Sequence, residues 1–375
     1  MNPPSSLSKS LAKSKIVHLA LRLISPPYLH EQIVRNQLNV NQIYLIPHAA
    51  LPLRTTSPAP ACPRGLDHLR CARYTPSMNN SQVKIGIIGG SGLGDKLGLE
   101  TGNTITPTTP FGPPSSPIIQ ANWEGADIFL LQRHGIGHTL NPSQVPYQAN
   151  IYALKELGVT HILASGATGS LREHLAPGDL VILDQIIDKT FTRPNTFYSS
   201  AAVHVEFSNP FCPVMRDWLL NASKNLDADI TVHAAGTYIC MEGPAFSTRA
   251  ESHMHRAWGA DLVGMTAMPE ARLAREAEIA YAMIAMPTDY DCWRPHDHPD
   301  QSKQDLLSEI IGNLQRATAN NIALMKAALK NITALQQTPS PAHSALDLGI
   351  WSNKDHIPQA EIDRLAVLWG KHFNH

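Results

Sequence analysis

The chain has 375 residues, 43% of them apolar, with a formal net charge of −1, enough to bury a sizeable core in one large domain or two smaller ones. The charge is uneven: residues 1–77 carry nine Lys or Arg against Glu31 and Asp67, leaving 29 acids against 21 bases in the remainder. An acidic body argues against nucleic acid as the main partner, because phosphate-backbone binding needs a basic face.

The five cysteines (Cys62, Cys71, Cys212, Cys240 and Cys292) are scattered and form no CxxC pair. This disfavours a disulfide framework or zinc knuckle and favours a reducing compartment. No apolar run approaches the ~20 residues that cross a bilayer, so a soluble, cytoplasmic protein is expected. Residues 1–77 are Ser- and Pro-rich and acid-poor. They read as a disordered arm, a cleaved transit-type segment or an upstream region translated from a wrong start codon. Met78, just before a clean strand pattern, favours the last reading, with the folded domain at 78–375.

The run 83–88 is β-branched and apolar and breaks into Gly89-Gly90-Ser91-Gly92-Leu93-Gly94. A buried strand ends this way in a loop whose amides can face an anion. Neither the dinucleotide fingerprint nor the P-loop is satisfied, since Gly94 is followed by Asp95 and Lys96. Next, the apolar strand 128–131 ends in Gln132-Arg133-His134-Gly135. Such an arginine can grip an anion through its guanidinium fork while the histidine acts as a second donor. His134 and His138 have the spacing of a helical zinc site, but Gly135 and Gly137 oppose a helix and the catalytic Glu is missing, so no metal is expected.

Residues 144–157 read as an amphipathic helix stopped by Gly158, followed by a strand at 159–164 and a small-residue loop at 165–170. Another strand is expected at 179–187. Residues 237–241 form a strand leading to a helix that Ser247 or Thr248 caps with Glu251. A strand at 260–265, a helix at 269–277, a sheet-like run at 278–286 and a terminal helix at 304–329 complete an α/β pattern whose ligands sit at strand ends. The sheet-like run leads into Thr288-Asp289-Tyr290-Asp291-Cys292-Trp293. An extended strand end puts Asp289 and Asp291 on one side, and two close acids cannot both ionise cheaply, so one stays protonated and donates.

These blocks, with Thr109-Pro110-Phe111-Gly112, Tyr147-Gln148-Ala149-Asn150, Met241-Glu242-Gly243-Pro244, Phe246-Ser247-Thr248-Arg249-Ala250-Glu251 and Gly264-Met265-Thr266, stand in the order seen in the purine nucleoside phosphorylase family. The Asp289 block most closely resembles that of the methylthioadenosine phosphorylase branch. The resemblance runs from about residue 83 to the C-terminus and implies one α/β domain with a central mixed β-sheet flanked by helices. It also implies a homotrimer without metal or organic cofactor, inorganic phosphate being a co-substrate. The implied reaction is phosphorolysis of 5′-methylthioadenosine to adenine and 5-methylthioribose 1-phosphate.

By the same resemblance, Asp289 protonates the purine with Asp291 beside it, and Ser91, Arg133, His134, Gly166, Ala167 and Thr266 cradle phosphate. Met265 lies under the sugar, and Phe246 and Ser247 line the base pocket. His138, Leu307 and, from an adjacent subunit, His204 enclose the 5′ group. Ala245, Gly264 and Pro287 depart from the pattern of animal members at the base pocket, which leaves a phosphorylase for 5′-methylthioinosine or ordinary purine nucleosides as an alternative. A histidine phosphatase built on Arg133-His134-Gly135 and a non-catalytic nucleotide-binding protein are alternatives of other classes.

Overall fold

The computed structural model describes residues 83–90, 93–99, 101–294 and 302–373; the extension 1–77 lies outside the described residues. Among them, eleven strands form one mixed sheet: β1 Ile85–Gly89, β2 Asn103–Ile105, β3 Ile118–Trp123, β4 Ala126–Gln132, β5 His161–Ser170, β6 Leu180–Ile182, β7 Gln185–Asp188, β8 Val232–His233, β9 Thr237–Cys240, β10 Leu262–Gly264 and β11 Ala280–Asp289. The main path runs β2-β3-β4-β1-β5-β10-β9-β7, with β11 pairing β5 and β6.

Alternation along the central strands divides the core. In β11, Tyr281, Met283 and Ala285 join one apolar cluster while Ala280, Ala282, Ile284 and Met286 join the other. Burial on both faces explains why this strand is apolar throughout. Helices α1 Leu93–Lys96, α2 Tyr147–Glu156, α3 Pro213–Ser223, α4 Arg249–Ala257, α5 Ala267–Glu276 and α6 Lys303–Leu329 precede the short C-terminal turns. Residues of α2 and α5 pack into the first cluster, and residues of α3 and α6 into the second. The α4 helix starts with a full capping box in which Thr248 and Glu251 satisfy each other's end of the first turn.

Two expectations are corrected. The segment 165–170 is not a loop: β5 continues through it, because β11 pairs along its length and β10 pairs antiparallel at Gly169 and Ser170. Ladder partners on both sides override the weak strand preference of Gly, Ser and Ala. The stretch 179–187 is two strands rather than one, since the chain changes neighbours at Leu183-Asp184, β6 pairing β11 and β8 and β7 pairing β9. Strand β3 and helix α3 carried too little periodicity to be expected.

Candidate active site

Strand β11 delivers the acids. Its register against β5 shifts between Pro287 and Asp289, so that Asp289 comes opposite Gly169. A proline that cannot donate to the ladder is tolerated at such an irregularity. The two carboxylates are not placed by strand alternation, as the spacing suggested. Asp291 takes a left-handed φ of 50°, and its amide turns back to donate to Asp289 Oδ1 at 2.7 Å, an Asx-type turn. The Thr288 hydroxyl donates to Asp289 Oδ2 at 2.7 Å, and the Thr288 carbonyl accepts from Asn313 of α6 at 2.9 Å.

Burial raises the Asp289 pKa and the Asp291 charge pushes it further up, while the bonds from Thr288 and the Asp291 amide pull against them. The net direction is upward, which favours a protonated carboxyl. Gly169 keeps this corner open: a Cβ there falls 3.1 Å from the Asp291 Cβ and 3.4 Å from Asp289 Oδ1.

The anion side is built differently from the expected fork. Arg133 is fully buried, and its fork is taken by Glu270, with Nε to Oε2 at 2.7 Å and Nη2 to Oε1 at 2.8 Å. Burial opposes the arginine charge, but Glu270 outweighs it and holds the guanidinium ionised. Arg133 Nη1 donates to the Ser165 carbonyl at 2.9 Å. The same nitrogen lies 3.4 Å from where a Gly90 Cβ stands and 4.0 Å from a Gly166 Cβ. These glycines let backbone close around the one corner of the guanidinium that Glu270 leaves to the cavity.

His134 is also corrected. Its Nδ1 lies 2.8 Å from the Leu140 carbonyl, which only an Nδ1–H can satisfy. Burial first, and Arg133 second, lower its pKa to about 4. The neutral ring therefore presents a bare Nε2, an acceptor rather than the expected second donor. His138 stacks on it with centroids 4.3 Å apart.

Thr266 opens α5 without using its side chain as a cap, and its amide donates to the Tyr238 hydroxyl at 3.2 Å. Between the two ends lies Met265. Its carbonyl accepts from Arg193 Nη1 at 2.6 Å, and its sulfur rests over Gly243, where a Cβ would stand 2.5 Å away. The positive φ of 69° at Gly243 is a second reason for glycine there. Arg193 is itself tied to Glu242 at 3.1 Å. Although burial opposes its charge, Glu242 is lowered to about 2 by bonds from Ser143, Phe191 and Thr192.

The two ends meet in one cavity of about 670 Å³, whose lining includes Arg133, His134, His138, Gly166, Ala167, Phe246, Ser247, Met265, Thr266, Asp289 and Asp291. That volume suits a small-molecule ligand. Ser91 lies outside the described residues. Leu307 does not line the cavity and is 57% exposed; Ile310 and Leu314, further along α6, line it instead. His204 lies elsewhere, in a recess with Leu348 and Trp351, its ring 4.9 Å from that of Trp351.

Sequence reasoning missed Glu270, Arg193, Ile310 and Leu314. Glu270 stands 137 residues from its arginine, and no local pattern signals such a pairing. Among the described residues, one group of potential metal ligands comes together, Glu278, Asp347 and His372. It lies outside the cavity, and Glu278 pairs there with Lys371 at 2.7 Å.

The phosphorylase superfamily model matches residues 84–330. An S-methyl-5′-thioadenosine phosphorylase from Synechocystis sp. is 44% identical over 292 residues, covering 77% of this chain and 87% of the relative. One from Chloroflexus aurantiacus is 46% identical over 292 residues, covering 77% and 98%. A crystal structure of a methylthioadenosine phosphorylase from an antarctic soil metagenomic library superposes with a TM-score of 0.70 at 44% identity, covering 77% of this chain and 99% of that one. A variant of the adenosine/methylthioadenosine phosphorylase of Schistosoma mansoni, in complex with methylthioadenosine, gives 0.63 at 36% identity, covering 72% and 99%. These relatives set aside the histidine-phosphatase reading of Arg133-His134-Gly135. By sequence and by fold, this chain belongs to the S-methyl-5′-thioadenosine phosphorylase family of the phosphorylase superfamily.

Proposed function

We propose that this chain cleaves 5′-methylthioadenosine with inorganic phosphate, yielding adenine and 5-methylthioribose 1-phosphate, a step of purine and methionine salvage. The observation that carries the reading is that Arg133, His134 and Thr266, and the acids Asp289 and Asp291, open onto the same cavity. Gly166 and Gly169 mark the two ends on one strand, three residues or about 10 Å apart at the rise of an extended chain. A purine nucleoside with an anion under its sugar bridges such a span.

The glycosidic bond breaks toward an oxocarbenium-like state, so phosphate needs positioning more than activation. Amides at Gly166 and Ala167, the Thr266 hydroxyl and the free edge of Arg133 hold its oxygens, with Ser91 joining by family likeness. His134 Nε2 accepts a hydrogen bond from a protonated phosphate oxygen. As electrons collect on the purine, the Asp289 carboxyl gives its proton to N7 and adenine leaves neutral. Phosphate oxygen then closes on C1′. Leu140, Ile310 and Leu314, with His138, supply the apolar niche for the methylthio group. The chemistry is assigned to these side chains and to phosphate as co-substrate, with no metal or organic cofactor.

The assembly is a homotrimer in this reading, His204 reaching the cavity of an adjacent copy. Its support is the position of His204 beside Leu348 and Trp351, which are 89% and 71% exposed in the single chain. The cytoplasm is the assigned compartment: Cys212, Cys240 and Cys292 are free thiols, and no helix among the described residues is long and apolar enough to cross a membrane.

The test is a panel of nucleosides assayed with and without phosphate for free-base release. Phosphate-dependent adenine release from methylthioadenosine is expected. Equal rates without phosphate indicate a hydrolase instead, and preference for 6-oxopurine nucleosides overturns the substrate assignment. Light scattering of the purified protein reads the assembly.

A further inference from the structure

Behind Asp291 lies a polar pair that the reaction above does not use. The buried residues of α4 are Ser252 and His255, one turn apart. The thiol of Cys292, the chain neighbour of Asp291, donates to the Ser247 carbonyl just before α4 at 3.2 Å, and the Arg256 guanidinium of α4 lies 3.7 Å from the ring centroid of Trp293, so α4 packs against the acid-bearing segment. His255 is fully buried, and its Nε2 lies 3.0 Å from Nζ of Lys189, just after β7. An ammonium only donates, so Nε2 must accept and the ring proton must sit on Nδ1.

That Nδ1–H is buried without a hydrogen-bond partner in this chain. So is an acceptor on the segment that α4 packs against, Oδ2 of Asp291. Leaving either group unpaired costs ~1–3 kcal/mol, more for a charged one, and the two are complementary. We propose that His255 is a positioning residue for Asp291: fixed in its Nδ1–H tautomer by Lys189, it donates to Oδ2 through one water and aims the other oxygen at the purine.

The electrostatics agree with this placement. Burial lowers the His255 pKa and Lys189 lowers it further, against the pull of Asp291 and Glu251, so the ring is neutral at neutral pH. A neutral donor holds the Asp291 carboxylate without a competing positive charge beside it.

The inference rests on the phosphorolysis reading for its catalytic consequence but not for its geometry, and the test separates the two. In the full chain, His255→Phe removes both ring nitrogens, and His255→Asn retains a donor near the Nδ1 position. Expected are a fall in kcat of about ten-fold for His255→Phe, an unchanged KM for phosphate, and recovery of most of the loss in His255→Asn. Lys189→Met, which spares the core, is expected to lower kcat in the same direction.

If His255 acts through Asp291, the His255→Phe effect disappears in an Asp291→Ala background; additive effects overturn the proposal. The same cycle read in thermal unfolding of the free protein needs no substrate. Coupling there supports the pair even if methylthioadenosine proves the wrong substrate, and its absence sinks the pair even if that substrate is right. Equal losses in the Phe and Asn variants also count against it.

Discussion

Glu270 holds Arg133 by two charge-assisted hydrogen bonds, 2.7 and 2.8 Å long, where neither side chain is more than 1% exposed. Tyr281 donates to the same carboxylate at 2.8 Å. This end of the cavity therefore begins with a neutralised pair, and in the proposed reaction phosphate is met by amides, hydroxyls and one guanidinium edge rather than by a free positive charge. Glu270→Ala strands a buried guanidinium, which costs about 3–5 kcal/mol. Denaturant unfolding should show that loss, and KM for phosphate should rise in whatever protein folds.

In the proposed reaction Asp289 carries the proton transfer. Asp289→Asn keeps the shape and can still accept from the Asp291 amide while its Nδ2 donates to the Thr288 hydroxyl, but it cannot give up a proton as a carboxyl does, so kcat for methylthioadenosine is expected to fall by about 10²–10⁴-fold with the fold intact. Asp289→Ala should abolish turnover. An unaltered kcat in the alanine variant removes Asp289 from the mechanism.

The neutral state of His134 makes a statement about pH. Its folded pKa is lowered to about 4 by burial and by Arg133, so the ring does not gain charge across the range of about pH 5 to 8 where an ordinary histidine titrates. KM for phosphate, corrected for phosphate's own ionisation, should be flat over that range. A step near the ordinary histidine value shows that His134 binds the anion as imidazolium.

Stability should carry a separate pH signature from Glu276. Burial raises its carboxyl from 4.5 to about 7, against bonds from Phe197 and Thr196. The folded state keeps a proton that the unfolded chain releases. The contribution is full below pH 4.5 and is lost as pH rises to about 7. Glu276→Gln, which preserves an acceptor, should reduce the decline in Tm over that window; parallel Tm profiles for the two proteins refute the assignment.

Gly264 cannot take a side chain without moving Tyr238. A Cβ there lands on the Tyr238 hydroxyl and 2.6 Å from its Cζ, and that hydroxyl anchors the Thr266 amide. Gly264→Ala is expected to lose about 1–3 kcal/mol to overpacking and to raise KM for phosphate by displacing Thr266. Thermal unfolding and phosphate saturation measure the two effects.

Much of this site was legible in the chain before its structure. Residues such as Asp289, Arg133, His134 and Thr266 stand at strand ends, where apolar runs break into polar residues, and pattern alone locates such breaks. The orientation of the groups was less legible. The fork of Arg133 faces Glu270, His134 is an acceptor, and Asp291 reaches Asp289 by a reversed turn; each depends on a partner or a dihedral angle that spacing does not encode. The ladder along 165–170 was hidden for the same reason. Its residues are poor strand formers, and only neighbours distant in sequence, β10 and β11, make them one.

That ladder has an evolutionary corollary. Because a single length of backbone carries both termini of the pocket, their separation is a property of peptide geometry and is insulated from side-chain turnover. Walls contributed by Pro244, Phe246 and Ser247 and by Ile310 and Leu314 can be exchanged, retuning which nucleobase or 5′ substituent is admitted, while the distance between nucleophile and leaving group is inherited unchanged. Drift in substrate preference should therefore be common among descendants of such a chain, and drift in reaction type rare.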